Sequence, residues 1–231
     1  MRSRFQNGLD ELKERLLEMG GMAEAAIEMA AESYRKRDAR LAQQVFEREE
    51  MINQSERNID EMAVDLLAMQ QPMATDLRFV LAVLKINSDL ERVGDLAVNI
   101  AQRSLDLAQE SEIDVPVDIA RMTTAVSTMV RRALESFLSA KAEVARAVLE
   151  MDSIVDRMKD EAFVNLVAQM KNHPDKVRQY LDVLLITRSL ERIADHATNI
   201  AEDVIFWVSG ADVRHNVRFS QEPDSDAPRR Q

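Results

Sequence analysis

The sequence predicts an all-α protein of two tandem, pseudo-symmetric three-helix bundles, six long helices in all, and three observations carry that expectation. Helix formers dominate and turn residues are scarce, with only five Gly and five Pro in 231 residues. Apolar residues recur at spacings of three and four through most of the first 209 positions. The chain also lies over itself when shifted by 100 residues: Leu81–Gln102 and Leu181–Glu202 agree at twelve of twenty-two positions, the mark of an internal repeat.

The helices follow in order from apolar spacing and turn chemistry. The first carries Leu9, Leu12, Leu16 and Met19 and breaks at Arg37-Asp38; the second runs to Gln71-Pro72. The third presents Phe79, Val83, Ile86, Leu90, Val93 and Ala97 as one stripe and stops before Ser111–Pro116. The fourth ends near Ala140–Glu143 and the fifth at Asn172-His173-Pro174. The sixth repeats the stripe of the third with Ile186, Leu190, Ile193 and Ala197, and closes on Phe206-Trp207-Val208 with Gly210 as its C-cap. Upstream of the strongest repeat the register changes slightly, so that Glu49–Asn53 corresponds to Asp152–Asp156. The halves are therefore residues 1–112 and 117–209, each about 100 residues, with short loops that make neighbouring helices antiparallel. The segment 210–231 lacks periodicity and is expected to be a disordered tail.

Composition narrows the function. No stretch approaches the roughly 18 apolar residues of a membrane span, and no apolar segment follows the two N-terminal arginines as a secretory signal would need. The chain has no cysteine, which removes disulfides and thiolate metal sites and makes a cytoplasmic location the simplest expectation. A net charge of −11 argues against nucleic acid as a partner, because phosphate backbones need a basic surface. There is no Gly-rich phosphate loop, nucleophile elbow or Ser/His/Asp set, so no catalytic residue is assigned.

What remains is a pattern of carboxylates. On a helical wheel with Glu91 at zero, the core stripe of the third helix falls at roughly 200–280°, while Glu91, Asp95 and Asn99 fall at about 0°, 40° and 80°. Glu191, Asp195 and Asn199 repeat that geometry on the sixth helix, joined by Glu202. Both sets are expected on the surface, opposite the core. Such a face is ordinarily only solvated, yet like charges at i and i+4 cost a helix roughly 0.2–0.5 kcal/mol, and both halves keep the arrangement. The preceding helix of each half adds Glu49/Asn53 and Asp152/Asp156. If these faces adjoin, each half gathers oxygen ligands suited to a hard cation such as Mg²⁺, Mn²⁺, Ca²⁺ or non-haem iron. His196 is about 100° from Asp195 on the wheel, so no Glu-x-x-His di-iron pattern forms. Arg92 and Arg192 are expected in salt bridges, and the methionines, among them Met51, Met62, Met69, Met151, Met158 and Met170, mostly in the core. A carboxylate-metal enzyme and a metal-free helical scaffold stay open as alternatives.

Gln70-Gln71-Pro72-Met73-Ala74-Thr75-Asp76-Leu77-Arg78, leading into Leu90-Glu91-Arg92-Val93-Gly94-Asp95 and then Leu190-Glu191-Arg192-Ile193-Ala194-Asp195-His196, resembles the PhoU family over about residues 5–216. The resemblance implies two three-helix bundles whose Glu/Asp-x-x-x-Asp elements bind divalent or trivalent metal ions (iron, manganese, magnesium or zinc). Carried onto this sequence, the ligands are Glu91, Asp95, Glu191 and Asp195, backed by Asp152, Asp156, Asn99, Asn199 and Glu49, with Glu202 added by the wheel. It further implies a regulator and not an enzyme: a homodimeric adaptor between the ATPase subunit of a phosphate ABC transporter and a membrane sensor histidine kinase. Such an adaptor works at the inner face of the membrane and represses the phosphate-starvation response. Asn53, Ala194 and Leu96 depart from the pattern, so the second site is expected to be the richer in carboxylates and the better metal site.

Overall fold

Each reversal expected from turn chemistry is where a helix ends. The computed structural model describes residues 4–70, 72–211 and 213. Among these, six long helices are present: α1 Arg4–Lys36, α2 Ala39–Gln70, α3 Thr75–Gln109, α4 Ile119–Ser139, α5 Ala142–Asn172 and α6 Val177–Ser209, with a short 3-10 turn at Pro174–Lys176.

The ends are closed by identifiable groups. Arg37 sits at φ 52° between α1 and α2, and its partner in the repeat, Ala140 between α4 and α5, also sits at φ 52°. In both turns the next amide reaches back to the preceding helix: Asp38 N–H to Ser33 O at 3.1 Å and Lys141 N–H to Ser136 O at 3.2 Å. The repeat thus extends to backbone geometry where the residues differ. Asp118 caps α4 by accepting from Arg121 N–H at 2.9 Å. Gly210 takes φ 72° and donates to Phe206 O at 2.8 Å, which ends α6 as its C-cap. Three cationic side chains cap helix C-termini from a distance: Arg37 donates to Leu107 and Glu110 O, Lys13 to Leu138 O, and Arg78 to Trp207 O.

Packing follows the apolar stripes. α2 contacts only α1 and α3, and among the long helices α5 contacts only α4 and α6, so each is the outer helix of its half. Accordingly each buries a narrow stripe, Val45, Ile52, Ile59 and Leu66 at every seventh residue of α2 and Val148, Val155 and Ala162 in α5. The halves meet along α3 and α6, the most extensive helix contact in the molecule, and again between α1 and α4. One continuous core results. At one end, Phe137 of α4 is fully buried between Phe79 of α3 and Trp207 of α6, at centroid distances of 5.8 and 5.4 Å. α3 and α6 run antiparallel: Lys85 pairs with Asp203, Asp89 with His196, and Arg103 with Asp182.

One sequence expectation is corrected. Met51 and Met69 are exposed, at 57% and 65%, because they lie on the outward side of α2, which has no helix beyond it among the described residues; Met62, Met151, Met158 and Met170 do pack against the core. Gly210 caps α6 as expected, and Val213 of the segment 210–231 packs on the core. Residues 212 and 214–231 lie outside the described residues.

Candidate functional site

The groove between α2 and α3 holds the first carboxylate cluster. Asn53 lies one turn after Glu49 on α2 and donates to its carboxylate, and Glu56 lies on the same face one turn further on. From α3, Glu91 and Asp95 face this row. The Glu91 carboxyl is pushed above the usual range by burial and then by the charge of Asp95, partly offset by Arg92, with Glu56 and Glu49 adding to the rise. Burial and neighbouring Asp60 likewise push Glu56 up. Arg92 supplies the cation, reaching Glu91 at 3.3 Å and Asp95 at 2.9 Å. Asn53 Oδ1 is buried without a hydrogen-bond partner among the described residues, an uncommon state for a buried polar atom.

The second cluster repeats the plan between α5 and α6. Burial, Glu191, Asp152 and Asp156 together push the Asp195 carboxyl up to about 6, with His196 opposing. Asp152 is raised by burial, then by Asp156 and Glu191. Here the cation is Lys159, whose Nζ lies 3.1 Å from Glu191 and 3.6 Å from both Asp156 and Asp160.

The glutamates do not lie on an open face as the wheel suggests. Side-chain exposure is only 16% for Glu91 and 19% for Glu191. A wheel locates the largest apolar stripe of one helix; it does not see that α2 and α5 lie over the flank next to that stripe. Asp95, at 38%, is the more open partner.

Not every expected ligand joins these clusters. Asn99, Asn199 and Glu202 lie at the seam between α3 and α6, on the other flank. Asn199 donates to Asp89 Oδ1 at 3.2 Å, and Asp89 also meets His196 Nδ1 at 2.7 Å. Glu202 lines a cleft there of about 340 Å³ with Lys85, Asp89 and Asp203, and Asn99 lines a cleft of about 320 Å³ with three arginines. Each triplet is therefore split, its glutamate and aspartate turned to the outer helix and its asparagine to the other half.

Two participants escape a reading of the acidic pairs alone, Glu56 and Lys159, which occupy the same position of the repeat. The signal was available: 49, 53 and 56 stand at i, i+4 and i+7, one face of a helix. Their effect corrects the expected inequality. The first cluster holds Glu49, Glu56, Glu91 and Asp95, the second Asp152, Asp156, Glu191 and Asp195. Glu202 adds nothing to the second, and Lys159 stands where the first has an acid. Among the described residues, no three Asp, Glu or His side chains already converge as a metal ion requires. The donor chemistry nevertheless suits a hard cation: carboxylates held together against their own repulsion, with an amide oxygen beside them. Arg92 makes its expected salt bridges, within its own helix; Arg192 makes none among the described residues. His173 packs beside Tyr180, and His215 lies outside the described residues.

Comparison with known proteins gives one answer. The PhoU domain family matches residues 16–104 and 119–204, once in each half. A protein of Pseudomonas putida named as a phosphate-specific transport system accessory protein PhoU homolog is 43% identical over 212 residues, 91% of this chain and 83% of its own length. The crystal structure of PhoU from Pseudomonas aeruginosa superposes with a TM-score of 0.87 at 40% identity, covering 90% of this chain and all of that one. The phosphate transport system regulatory protein PhoU from Streptococcus pneumoniae gives 0.83 at 26% identity, over 91% and 99% of the two chains.

Proposed function

The chain belongs to the PhoU family, and from that membership we propose that it is an accessory regulator of phosphate-specific transport. In this reading it is a cytoplasmic adaptor that docks on the ATPase subunit of the phosphate ABC transporter and on a membrane sensor histidine kinase, and represses the phosphate-starvation response when phosphate is plentiful. The observation that carries the reading is the 43% identity, across nine-tenths of the chain, to a protein named for that transport system. No helix among the described residues is long and apolar enough to cross a membrane, so work at a transporter requires docking onto it. Deletion should derepress phosphate-scavenging genes in phosphate-replete growth, and affinity capture from membranes should recover both partners in a phosphate-dependent amount. Normal repression in the deletion strain refutes the reading.

The two carboxylate clusters are the metal sites of the same proposal. Glu49, Glu56, Glu91 and Asp95 would hold an ion in the first half, and Asp152, Asp156, Glu191 and Asp195 in the second, with iron, manganese, magnesium or zinc as the candidate ions. A bound ion supplies concentrated positive charge that offsets the burial and the neighbouring carboxylate charge raising Glu91, Asp152 and Asp195. The unpartnered Asn53 Oδ1 gives the first site a neutral oxygen as well. Asn99, Asn199 and Glu202 are left out of both sets because they face the seam. Elemental analysis of protein purified without chelator, beside the Glu91→Gln, Asp95→Asn, Glu191→Gln, Asp195→Asn variant, tests this; equal metal content in the two ends the metal reading while leaving the regulatory one standing. Sedimentation tests the homodimer that the family resemblance implies.

A further inference from the structure

The seam between α3 and α6 carries two clefts at equivalent positions of the repeat, and their charges are opposite. In one, Lys85, Ser88, Asp89, Asn199 and Asp203 line the wall; in the other the corresponding places hold Leu185, Arg188, Ser189, Asn99 and Arg103, joined by Arg192. The acidic cleft satisfies itself. Lys85 Nζ is 2.9 Å from Asp203, and Asp89 is held by His196 and Asn199.

The basic cleft does not. Arg103 is anchored, its Nη1 3.3 Å from Asp106 and 3.4 Å from Asp182, which orients the guanidinium and leaves further N–H groups unused. Arg188 and Arg192 are exposed and, among the described residues, neither is paired with a carboxylate. They stand one turn apart on α6, their Cβ atoms about 6 Å from each other. The Asn99 amide adds a neutral donor, whereas the Ser189 hydroxyl is already committed to Leu185 O at 3.0 Å. In a chain of net charge −11, three guanidiniums gathered in one concave place make a local field opposite to that of the whole molecule.

We propose that this cleft, built by Arg103 and Asn99 from α3 and Arg188 and Arg192 from α6, binds a small phosphoryl-bearing anion. Guanidinium forks approaching from two helices match the several oxygens of a phosphoryl group better than the single plane of a carboxylate. The volume of about 320 Å³ admits inorganic phosphate or the phosphate chain of a nucleotide. No aromatic ring lines it among the described residues, so recognition rests on charge and not on stacking a base. This site is separate from the carboxylate clusters and stands whether or not they hold metal.

Calorimetric titration of the full chain with inorganic phosphate, and separately with ATP in metal-free buffer at fixed ionic strength, tests it. The Arg188→Gln/Arg192→Gln variant should bind at least about tenfold more weakly, as expected for loss of two charge-assisted contacts. The Arg132→Gln/Arg146→Gln variant removes the same charge from exposed positions of α4 and α5 and should bind as the parent does. Both pairs are on the surface, and matching thermal melts verify that the fold is kept. Saturation by phosphate, with ATP no tighter, identifies the free anion; much tighter ATP identifies a nucleotide. Failure of both to bind, or equal weakening in the two variants, overturns the proposal.

Discussion

Lys159 is the cation on which the second cluster depends, and Lys159→Met removes its charge while keeping most of its stem. The lysine side chain is 31% exposed; its shortest contact, 3.1 Å, is to Glu191 at 19%, whereas Asp156 and Asp160 are at 49% and 76%. Fully exposed pairs contribute about 0.2–1 kcal/mol. The half-shielded Glu191 contact and the unrelieved repulsion left behind bring the expected loss to about 1–2 kcal/mol. For a chain of this size that is a fall in Tm of about 3–6 °C. The pH dependence distinguishes electrostatics from packing. Asp195, pushed up to about 6, lies above its ordinary 3.8, so the fold favours its neutral form and its penalty is present above the raised value and gone below the ordinary one. Because the group is partly solvated, its penalty is about 1 kcal/mol. Acidification from about pH 7.5 to about pH 5 protonates most of Asp195 in parent and variant alike and stabilises both. Because Lys159 also opposes the rise of Asp152, the variant, which lacks that opposition, should gain more than the parent and its loss should shrink at the lower pH. Thermal melts at the two pH values read this directly. An unchanged Tm at the higher pH, or an equal loss at both, refutes the reasoning.

The remaining predictions concern packing and capping. A Cβ on Gly94 would stand 3.1 Å from Ile52 Cδ1, while the second half has Ala194 and the smaller Val155 at the same positions. Gly94→Ala should destabilise by about 1 kcal/mol net, Ile52→Val by about 1 kcal/mol, and the two together by close to nothing, in chemical denaturation; strict additivity would exclude compensation. Phe137→Ala empties the centre of the ring cluster joining α3, α4 and α6 and should cost about 3–5 kcal/mol, lowering Tm by about 10 °C or more; a loss below about 1 kcal/mol would mean the site collapses freely. Arg37→Ala removes the donor to Leu107 and Glu110 O and should cost about 1 kcal/mol, with faster amide exchange confined to the last turn of α3; exchange unchanged there would show that water replaces the cap fully.

What was legible in the sequence was local. Helix boundaries follow from residues at the break itself, such as Pro72, Pro174 and Gly210, and the repeat declares itself by identity, so the six-helix architecture could be read in advance. Burial of Glu91 and Glu191 could not, because it depends on α2 and α5, more than thirty residues away, lying over a flank that a single wheel treats as solvent. The same blindness hid Met51 and Met69 on the far side of α2. The seam was equally out of reach. Nothing near Asn99 announces that Arg188 and Arg192 of the other half stand beside it.

The repeat is most informative where it fails. Apolar positions of the two halves remain interchangeable, as Ile86/Ile186, Leu90/Leu190 and Ile100/Ile200 are all fully buried. The charged ones have diverged in place: Glu56 against Lys159, Asp89 against Ser189, Leu96 against His196, Arg103 against Asp203. A core constrained by close packing tolerates little change, whereas a partly solvated position admits a change of charge at small cost to stability. Duplication alone would have produced two equal clusters and two equal clefts. Three of these differences fall at the seam, where together with Lys85 they form compensating pairs: Asp89 faces His196 and Lys85 faces Asp203, so the acidic cleft supplies partners from within. Its counterpart, where Arg188 and Arg192 have no such partners among the described residues, is where a negatively charged ligand gains most.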